Sequence, residues 1–152
     1  MSKYSKTTTV FNDEECLVNA LVDIGYDRSK IEVHKQAVPL VDYLGRQTHY
    51  TDPKGDKANV IIRSRHIGYG SANDLGFQWN EATKSYDAFI SEYDSSAHHW
   101  GTKSERFRKL KVAHAEQRGI KTAKKQGFKF LGRQMVNGKI QLQFLDPRAV
   151  TR

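Results

Sequence analysis

Basic side chains supply the most evident chemistry in this sequence. Of its 25 Lys and Arg residues, 11 lie between Lys103 and Arg133, where only Glu105 and Glu116 are acidic. Such a cluster attracts phosphates, because neutralising them releases condensed counterions. We predict that a helix near 102–126 presents these candidate contact residues: Lys103, Arg106, Arg108, Lys109, Lys111, Arg118, Lys121, Lys124 and Lys125. They indicate contact with a polyanion, and the alternative is a solvated helix face that has no partner.

The early part of the basic cluster is harder to explain by helix stability than the late part. Cations are unfavourable at the positive amino-terminal end of a helix dipole and favourable at its carboxyl end. Lys124 and Lys125 suit the last turn, whereas Lys103 and Arg106 oppose the first. No helix-turn-helix, RNP or zinc-finger pattern accompanies them, so sequence-specific reading of bases is not indicated.

Aromatic residues near the centre of the chain could stack on bases. Tyr69 and Trp100 lie in segments that we predict to be loops, where a ring can reach an unpaired base. Leu75, Phe77 and Trp79 alternate with polar or small residues along a predicted strand. We interpret that alternation as one buried strand face rather than a binding surface.

Residues suited to catalysis or metal binding do not assemble into a site. Asp94, His98 and His99 are compact in sequence, but adjacent histidines on one loop rarely point at the same ion. Ser91 lacks the nucleophile elbow of a hydrolase. The single cysteine, Cys16, indicates a small packed thiol and rules out an intramolecular disulfide. We therefore predict a non-enzymatic protein with no metal and no other cofactor.

Length and composition predict one soluble domain over residues 1–152, with a frayed tail from about residue 146. Charge is distributed unevenly: residues 1–101 carry 11 basic and 14 acidic side chains, whereas residues 102–152 carry 14 and 3. No apolar run approaches the roughly 20 residues of a membrane span, and no secretory signal is evident. These features favour a cytoplasmic protein with an anionic partner and no membrane association.

Hydrophobic periodicity predicts the order β-α-β-β-β-β-α-β-β. Asn12 is the expected N-cap of the first helix and Gly25 its carboxyl-terminal stop. Thr102 or Ser104 can cap the long basic helix, Gly119 could kink it, and Gly127 ends it. The order indicates an α+β fold in which one mixed or antiparallel sheet carries both helices on a single face.

The last two strands are predicted to form a hairpin. Asn137-Gly138 is the strongest short signal for a type I′ turn. Ile140, Leu142 and Phe144 alternate with glutamines, which indicates one buried and one polar face. We expect these three side chains to face inward and the hairpin to serve as scaffold.

In its sequence blocks the chain resembles an uncharacterised family. The blocks are FNDEECLVNALVDIGY, IEVHKQAVPLVDYLG, ANVIIRSRHIG, SANDLGF, SYDAFISEYD and VAHAEQRGIKTAKKQGFKFLGRQMVNGKIQL. They cover nearly the whole chain and resemble the hypothetical chloroplast reading frame thirty-five family, also called domain of unknown function twelve fifty-seven. Members occur in algal plastids, in bacteria including cyanobacteria, and in some phages.

The resemblance implies a small single domain with no motif tied to a reaction. Family members can neighbour an ATPase of the AAA class in bacterial genomes, which implies an accessory role beside such a partner. The resemblance also implies the plastid stroma or the cytoplasm of an infected host as possible compartments. The basic helix, the TDPKGD segment and the HHW segment depart from the family pattern.

Two hypotheses follow from the sequence. The first is an accessory domain that contacts RNA or DNA through the basic helix near 102–126. The second is a protein-interaction adaptor or assembly subunit with an acidic protein partner, in which sheet edges or the 38–57 segment supply specificity.

Overall fold

The elements of the fold follow one another in the predicted order. The computed structural model describes residues 4–67, 73–91 and 108–149. Its strands and helices are β1 (Tyr4–Thr8), α1 (Glu14–Asp23), β2 (Ile31–Pro39), β3 (Lys57–Ile62), β4 (Leu75–Asn80), β5 (Ser85–Ser91), α2 (Arg108–Lys125), β6 (Lys129–Val136) and β7 (Lys139–Leu145). The protein is therefore α+β, as predicted. The expected cap of the basic helix at Thr102 or Ser104 lies outside the described residues.

The first five strands form one antiparallel sheet in the order β1-β5-β4-β3-β2. The β6-β7 hairpin is a separate two-stranded sheet, so the expectation of a single sheet is wrong for these two strands. The hairpin packs against α2 instead of extending an edge of the larger sheet. The backbone groups of β6 and β7 hydrogen-bond to each other across the hairpin. Packing of apolar side chains against α2 therefore holds the hairpin in place without pairing to the larger sheet.

The two described helices cover one face of the five-stranded sheet, as predicted. Leu17 and Leu21 of α1 and Leu110 of α2 are fully buried there. They pack in one core with side chains from the interior strands and from the segment that precedes α1: Phe11, Val60, Ile62, Leu75, Phe77, Ala88 and Ile90. Leu75 and Phe77 are core residues, as predicted, and the half-buried Trp79 packs against the same core. The other face of the strand is buried too at Gly76, so the expectation of one buried face is only partly correct.

The opposite face of the sheet is covered by the loop of residues 40–56. Leu40 is fully buried and packs with Ala58, Ile61 and Phe89. The Asp56 carboxylate holds the loop in shape by accepting hydrogen bonds from backbone N–H groups at positions 50 and 51. A long connection thus serves as the second layer that an amphipathic sheet requires.

A buried ionic network ties this loop to the sheet. Asp74 is fully buried, and its Oδ2 accepts from the Arg63 guanidinium at 2.8 Å and from the Val41 backbone at 2.8 Å. The guanidinium also contacts both carboxylate oxygens of Glu32, at 2.9 and 3.1 Å. Ser64 donates its backbone N–H to the remaining Asp74 oxygen. Each buried charge is therefore paired and hydrogen-bonded, the condition under which burial is tolerated.

Local signals in the sequence were accurate to within about one residue at the helix ends. The N-cap of α1 is Asp13 rather than Asn12, with its Oδ1 accepting from the Cys16 backbone at 2.9 Å. Gly25 has a φ of +121°, as expected of a helix stop. Helix α2 continues through Gly119 to Lys125, so no break occurs at that glycine.

The hairpin turn is confirmed, but the burial predicted for β7 is only partly correct. Asn137 and Gly138 have φ values of +50° and +75°, as a type I′ turn requires. Leu142 and Phe144 are half-buried, whereas Ile140 is 46% exposed. Burial falls toward the turn because α2 covers only part of the hairpin. Beyond β7, a 3₁₀ turn at Pro147–Ala149 follows, and the frayed tail stays a prediction.

Replacing Gly76 with alanine is expected to destabilise the protein by about 1–3 kcal/mol, because the core there is already full. A Cβ at this position would lie 2.7 Å from the Ala58 Cβ and 2.8 Å from the Leu40 Cδ2. Urea unfolding followed by circular dichroism measures the change. Gly119→Ala is the matched control, since its new Cβ would meet only the Leu142 Cδ1, at 3.4 Å. That helical substitution should be neutral or stabilising, and equal losses in both variants would contradict the packing argument.

Candidate functional site

The eleven candidate binding residues, nine basic and two aromatic, fall into three groups in the structure. Tyr69, Trp100, Lys103 and Arg106 lie outside the described residues. Two of the remaining candidates, Arg118 and Lys121, are engaged with α1. The other five lie on the exposed surface of α2, namely Arg108, Lys109, Lys111, Lys124 and Lys125.

Acidic residues at the start of α1 pair with the second half of α2. The Lys121 ammonium lies 2.8 Å from the Asp13 carboxylate and 3.3 Å from that of Glu15. Arg118 lies 3.7 Å from the same Asp13 oxygen. These carboxylates also suit the positive end of the α1 dipole. Lys121 is therefore chiefly a structural residue, and only part of the predicted basic surface remains available to a partner.

Asp13 holds its charge strongly. Burial favours the neutral acid, but hydrogen bonds from Lys121 and from the Cys16 backbone outweigh it and lower the pKa of Asp13 to about 2. The same residue therefore caps α1 and fixes the position of α2 against it.

A second group of polar contacts joins the far end of α1 to α2 and the hairpin. The Arg133 guanidinium of β6 pairs with Glu116 and lies 3.6 Å from Asp23. Gln117 donates to the same Asp23 carboxylate at 2.7 Å. Glu116, one of the two acidic residues within the basic cluster of residues 103–133, is thus paired within the fold.

One line of basic residues runs along the outer surface of α2. Lys111, Arg118 and Lys125 are spaced by seven residues, or about two helical turns, which places them on one face about 10 Å apart. Ala115 and Thr122 lie between them on the same face, and all five positions are exposed. We call Lys111, Arg118 and Lys125 the basic ridge. Within the described part of the chain, no acidic group forms an ion pair with Lys111 or Lys125.

An apolar groove of about 440 Å³ lies beside the basic ridge, between α2 and the hairpin. We call it the aromatic groove; its lining residues are Arg118, Gly119, Thr122, Ala123, Gln126, Phe128 and Phe144. Arg118 belongs to both the ridge and the groove, so the two surfaces adjoin along its side chain.

The end of α2 places Phe128 in the groove. Gly127, with φ at +88°, donates its N–H to the Lys124 carbonyl, and the Phe128 N–H bonds to the Ala123 carbonyl at 2.9 Å. These two bonds form a Schellman motif, which brings the residue after the glycine back onto the helix. Phe144 comes from β7, where its ring lies 5.6 Å from that of Phe130. Sequence reasoning missed the groove, although Gly127 followed by an apolar residue is its local signal.

Two further residues with potential reactivity are buried. Cys16 is 1% exposed, and its burial beside Asp13 raises the pKa of the thiol to about 11, so it is a packed thiol as predicted. His114 of α2 packs its ring 5.2 Å from that of Phe11, and burial lowers the pKa of the imidazole. Within residues 4–67, 73–91 and 108–149, no group of three residues suited to holding a metal occurs. Asp94, His98 and His99 fall outside these ranges.

Comparison with known proteins adds no relative to these observations. No family model, no curated protein and no solved structure matches the chain. The resemblance to the chloroplast reading frame thirty-five family therefore stays a prediction. Neither described helix is long and apolar enough to cross a membrane.

Asp13→Asn should lower the free energy of unfolding at neutral pH by about 1–2 kcal/mol, because asparagine keeps the cap but loses the ionic bond to Lys121. The depressed pKa gives the sign of the pH dependence. The Asp13 contribution is complete above its ordinary pKa of 3.8 and is lost as the pH falls toward about 2. Urea unfolding at several pH values measures both effects.

Glu14→Gln is the control for that experiment. It removes one charge from the same helix end without removing the cap or the contact with Lys121. The interpretation is wrong if this control costs as much stability as Asp13→Asn and flattens the acid dependence equally.

Proposed function

We propose that this protein is a non-enzymatic accessory domain that contacts nucleic acid, RNA or DNA, through the exposed surface of α2. One observation carries the proposal: after Arg118 and Lys121 pair with α1, Lys111 and Lys125 still carry positive charge at the two ends of the basic ridge. Lys109 and Lys124 carry further charge on other sides of the helix. None of the ion pairs among the described residues involves either of them or the terminal ridge residues Lys111 and Lys125.

The internal pairing also supports the choice of surface. A cluster of cations that existed only to stabilise the fold would have acids beside it, as Lys121 has Asp13 and Glu15. Among the described residues, Lys111 and Lys125 form no such ion pair. Phosphate contacts to them would release condensed counterions.

The proposal also includes the type of activity and the cellular compartment. Binding rather than catalysis is the role that a charged, partly apolar surface can perform. We place this activity in the cytoplasm or an equivalent compartment, such as the plastid stroma or the cytoplasm of an infected host.

A double charge reversal, Lys111→Glu with Lys125→Glu, is expected to weaken binding of a generic oligonucleotide by about tenfold or more at low salt. The slope of log K against log salt should become shallower by about 1.5, because two phosphate contacts are lost. Fluorescence anisotropy between about 50 and 200 mM salt measures both quantities on protein freed of co-purified nucleic acid.

Lys54→Glu with Lys57→Glu is the matched control. It changes the net charge equally, but the two lysines lie in or next to the loop on the opposite face of the sheet. This control should keep most of the affinity. An equal loss in both double variants would show attraction by net charge alone, and no salt-dependent binding in the unaltered protein would remove the proposal.

A second candidate function is a protein-interaction adaptor or assembly subunit. The observation in its favour is the exposed apolar surface of the hairpin, where Leu131 is 57% and Met135 65% exposed. Exposed apolar patches often mark protein interfaces. An acidic protein could contact this surface and the cations of α2 together, and the family resemblance adds an AAA-class ATPase as one such partner.

Affinity purification from the native host with nuclease present tests this second function. A stoichiometric partner should persist through nuclease treatment and should be lost when Met135 and Ile140 are changed to glutamate, because charge prevents burial of the hairpin surface. Ala82→Glu, at an exposed position in the turn between β4 and β5, is the control that should retain the partner. A partner that is lost on nuclease treatment is bound through nucleic acid, which would support the first function instead.

A further inference from the structure

We infer that the nucleic acid is single-stranded and that an unpaired base stacks in the aromatic groove while its phosphates lie along the basic ridge. This inference rests on the proposed function and adds to it the class of strand and the position of a base. It is carried by the juxtaposition of the groove and the ridge, which share Arg118.

The packing of α2 disfavours a duplex as the ligand. A helix with its side chains is about 10–12 Å wide and fills a DNA major groove of about 12 Å. The second half of α2 has α1 on one side, at Arg118 and Lys121, and the hairpin on another, at Gly119. The neighbouring elements would meet the phosphate backbones before the helix could reach the base edges.

The chemistry of the groove suits an unpaired base instead. Bases of a duplex are already stacked on one another, so an aromatic side chain can take up only a base that is free of its pair. Phe128 and Phe144 are half-buried, so part of each ring is open to the groove while the rest is held by the fold. Base stacking on such rings tolerates any sequence, in accord with the lack of a sequence-reading motif.

Both sides of the ridge carry ion pairs, so charge alone does not choose between them. Asp13 and Glu15 of α1 are paired with Arg118 and Lys121. On the hairpin side the Arg148 guanidinium lies 5.7 Å from the centre of the Phe128 ring and 2.9 Å from the Asp146 carboxylate. The aromatic groove lies on the hairpin side, and stacking there is what favours that side for a strand held on the ridge.

The central experiment compares two strands of equal length and charge. An oligothymidylate of about 12 nucleotides and an abasic strand of the same length are titrated into the full-length protein by fluorescence anisotropy at fixed low salt. We expect the strand with bases to bind about tenfold tighter, because only it can stack. A duplex of the same length should bind more weakly than the oligothymidylate.

Leucine substitutions of the two groove phenylalanines identify the stacking site. Phe128→Leu and Phe144→Leu keep an apolar side chain but remove the ring, and each should bring the ratio between the two strands toward one while leaving abasic binding unchanged. Tyr43→Leu is the matched control, since this exposed ring lies on the loop of residues 40–56, on the opposite face of the sheet from α2. It should keep the ratio. The Lys111→Glu and Lys125→Glu double variant should weaken both strands alike.

The outcomes separate this inference from the proposed function. Equal binding of the two strands by the unaltered protein, or tighter binding of the duplex, overturns the inference. If that binding still weakens with salt, the proposed function stands. Absence of binding to every strand removes both. A nuclease-resistant protein partner that is lost with Phe128→Leu would make the groove a protein site and would also overturn the inference. Thermal melting checks each variant, and the comparison of strands by the unaltered protein decides the matter if a variant does not fold.

Discussion

The position of α2, and with it the whole candidate surface, depends on the carboxylate of Asp13. One of its oxygens caps α1 through the Cys16 backbone, and the other receives the Lys121 ammonium at 2.8 Å. Because burying an ionised carboxylate is costly unless it is paired and hydrogen-bonded, the contacts of this group favour one relative position of the two helices. Arg118 joins the same oxygen at longer range, and the pKa of Asp13 is lowered to about 2 as a result.

That contact divides a uniformly basic helix into faces with different roles. The face toward α1 is buried and neutralised, with Leu110 and Ile120 in the interior and Lys121 paired. The outward face keeps its charge as the basic ridge. The remaining face meets the hairpin, where Gly119 lies near Leu142 and lines the aromatic groove together with Phe144. The predicted candidate kink is thus an ordinary position of a continuous helix, at the usual small cost in helix propensity.

The rest of the domain serves as a rigid support for this arrangement. The five-stranded sheet is covered by helices on one face and by the loop of residues 40–56 on the other, and Arg63 with Asp74 fastens that loop. Gly76 marks where the loop approaches most closely, since Leu40 occupies the space of a Cβ. These contacts are remote from α2, so changes on its surface can be tested without loss of the fold.

Patterns that are local in the chain were determined by the sequence itself. The α+β class, the element order, the stop at Gly25, the end of α2 at Gly127 and the turn at Asn137-Gly138 each follow from periodicity or from backbone conformations that few residues accept. Tertiary structure decided which charges remain available, because Asp13 and Lys121 are 108 residues apart along the chain. It also separated the hairpin from the larger sheet and formed the aromatic groove from Phe128 and Phe144. Ion pairs and grooves of this kind arise from distant residues brought together by burial of a shared core, and no local pattern in a sequence records them.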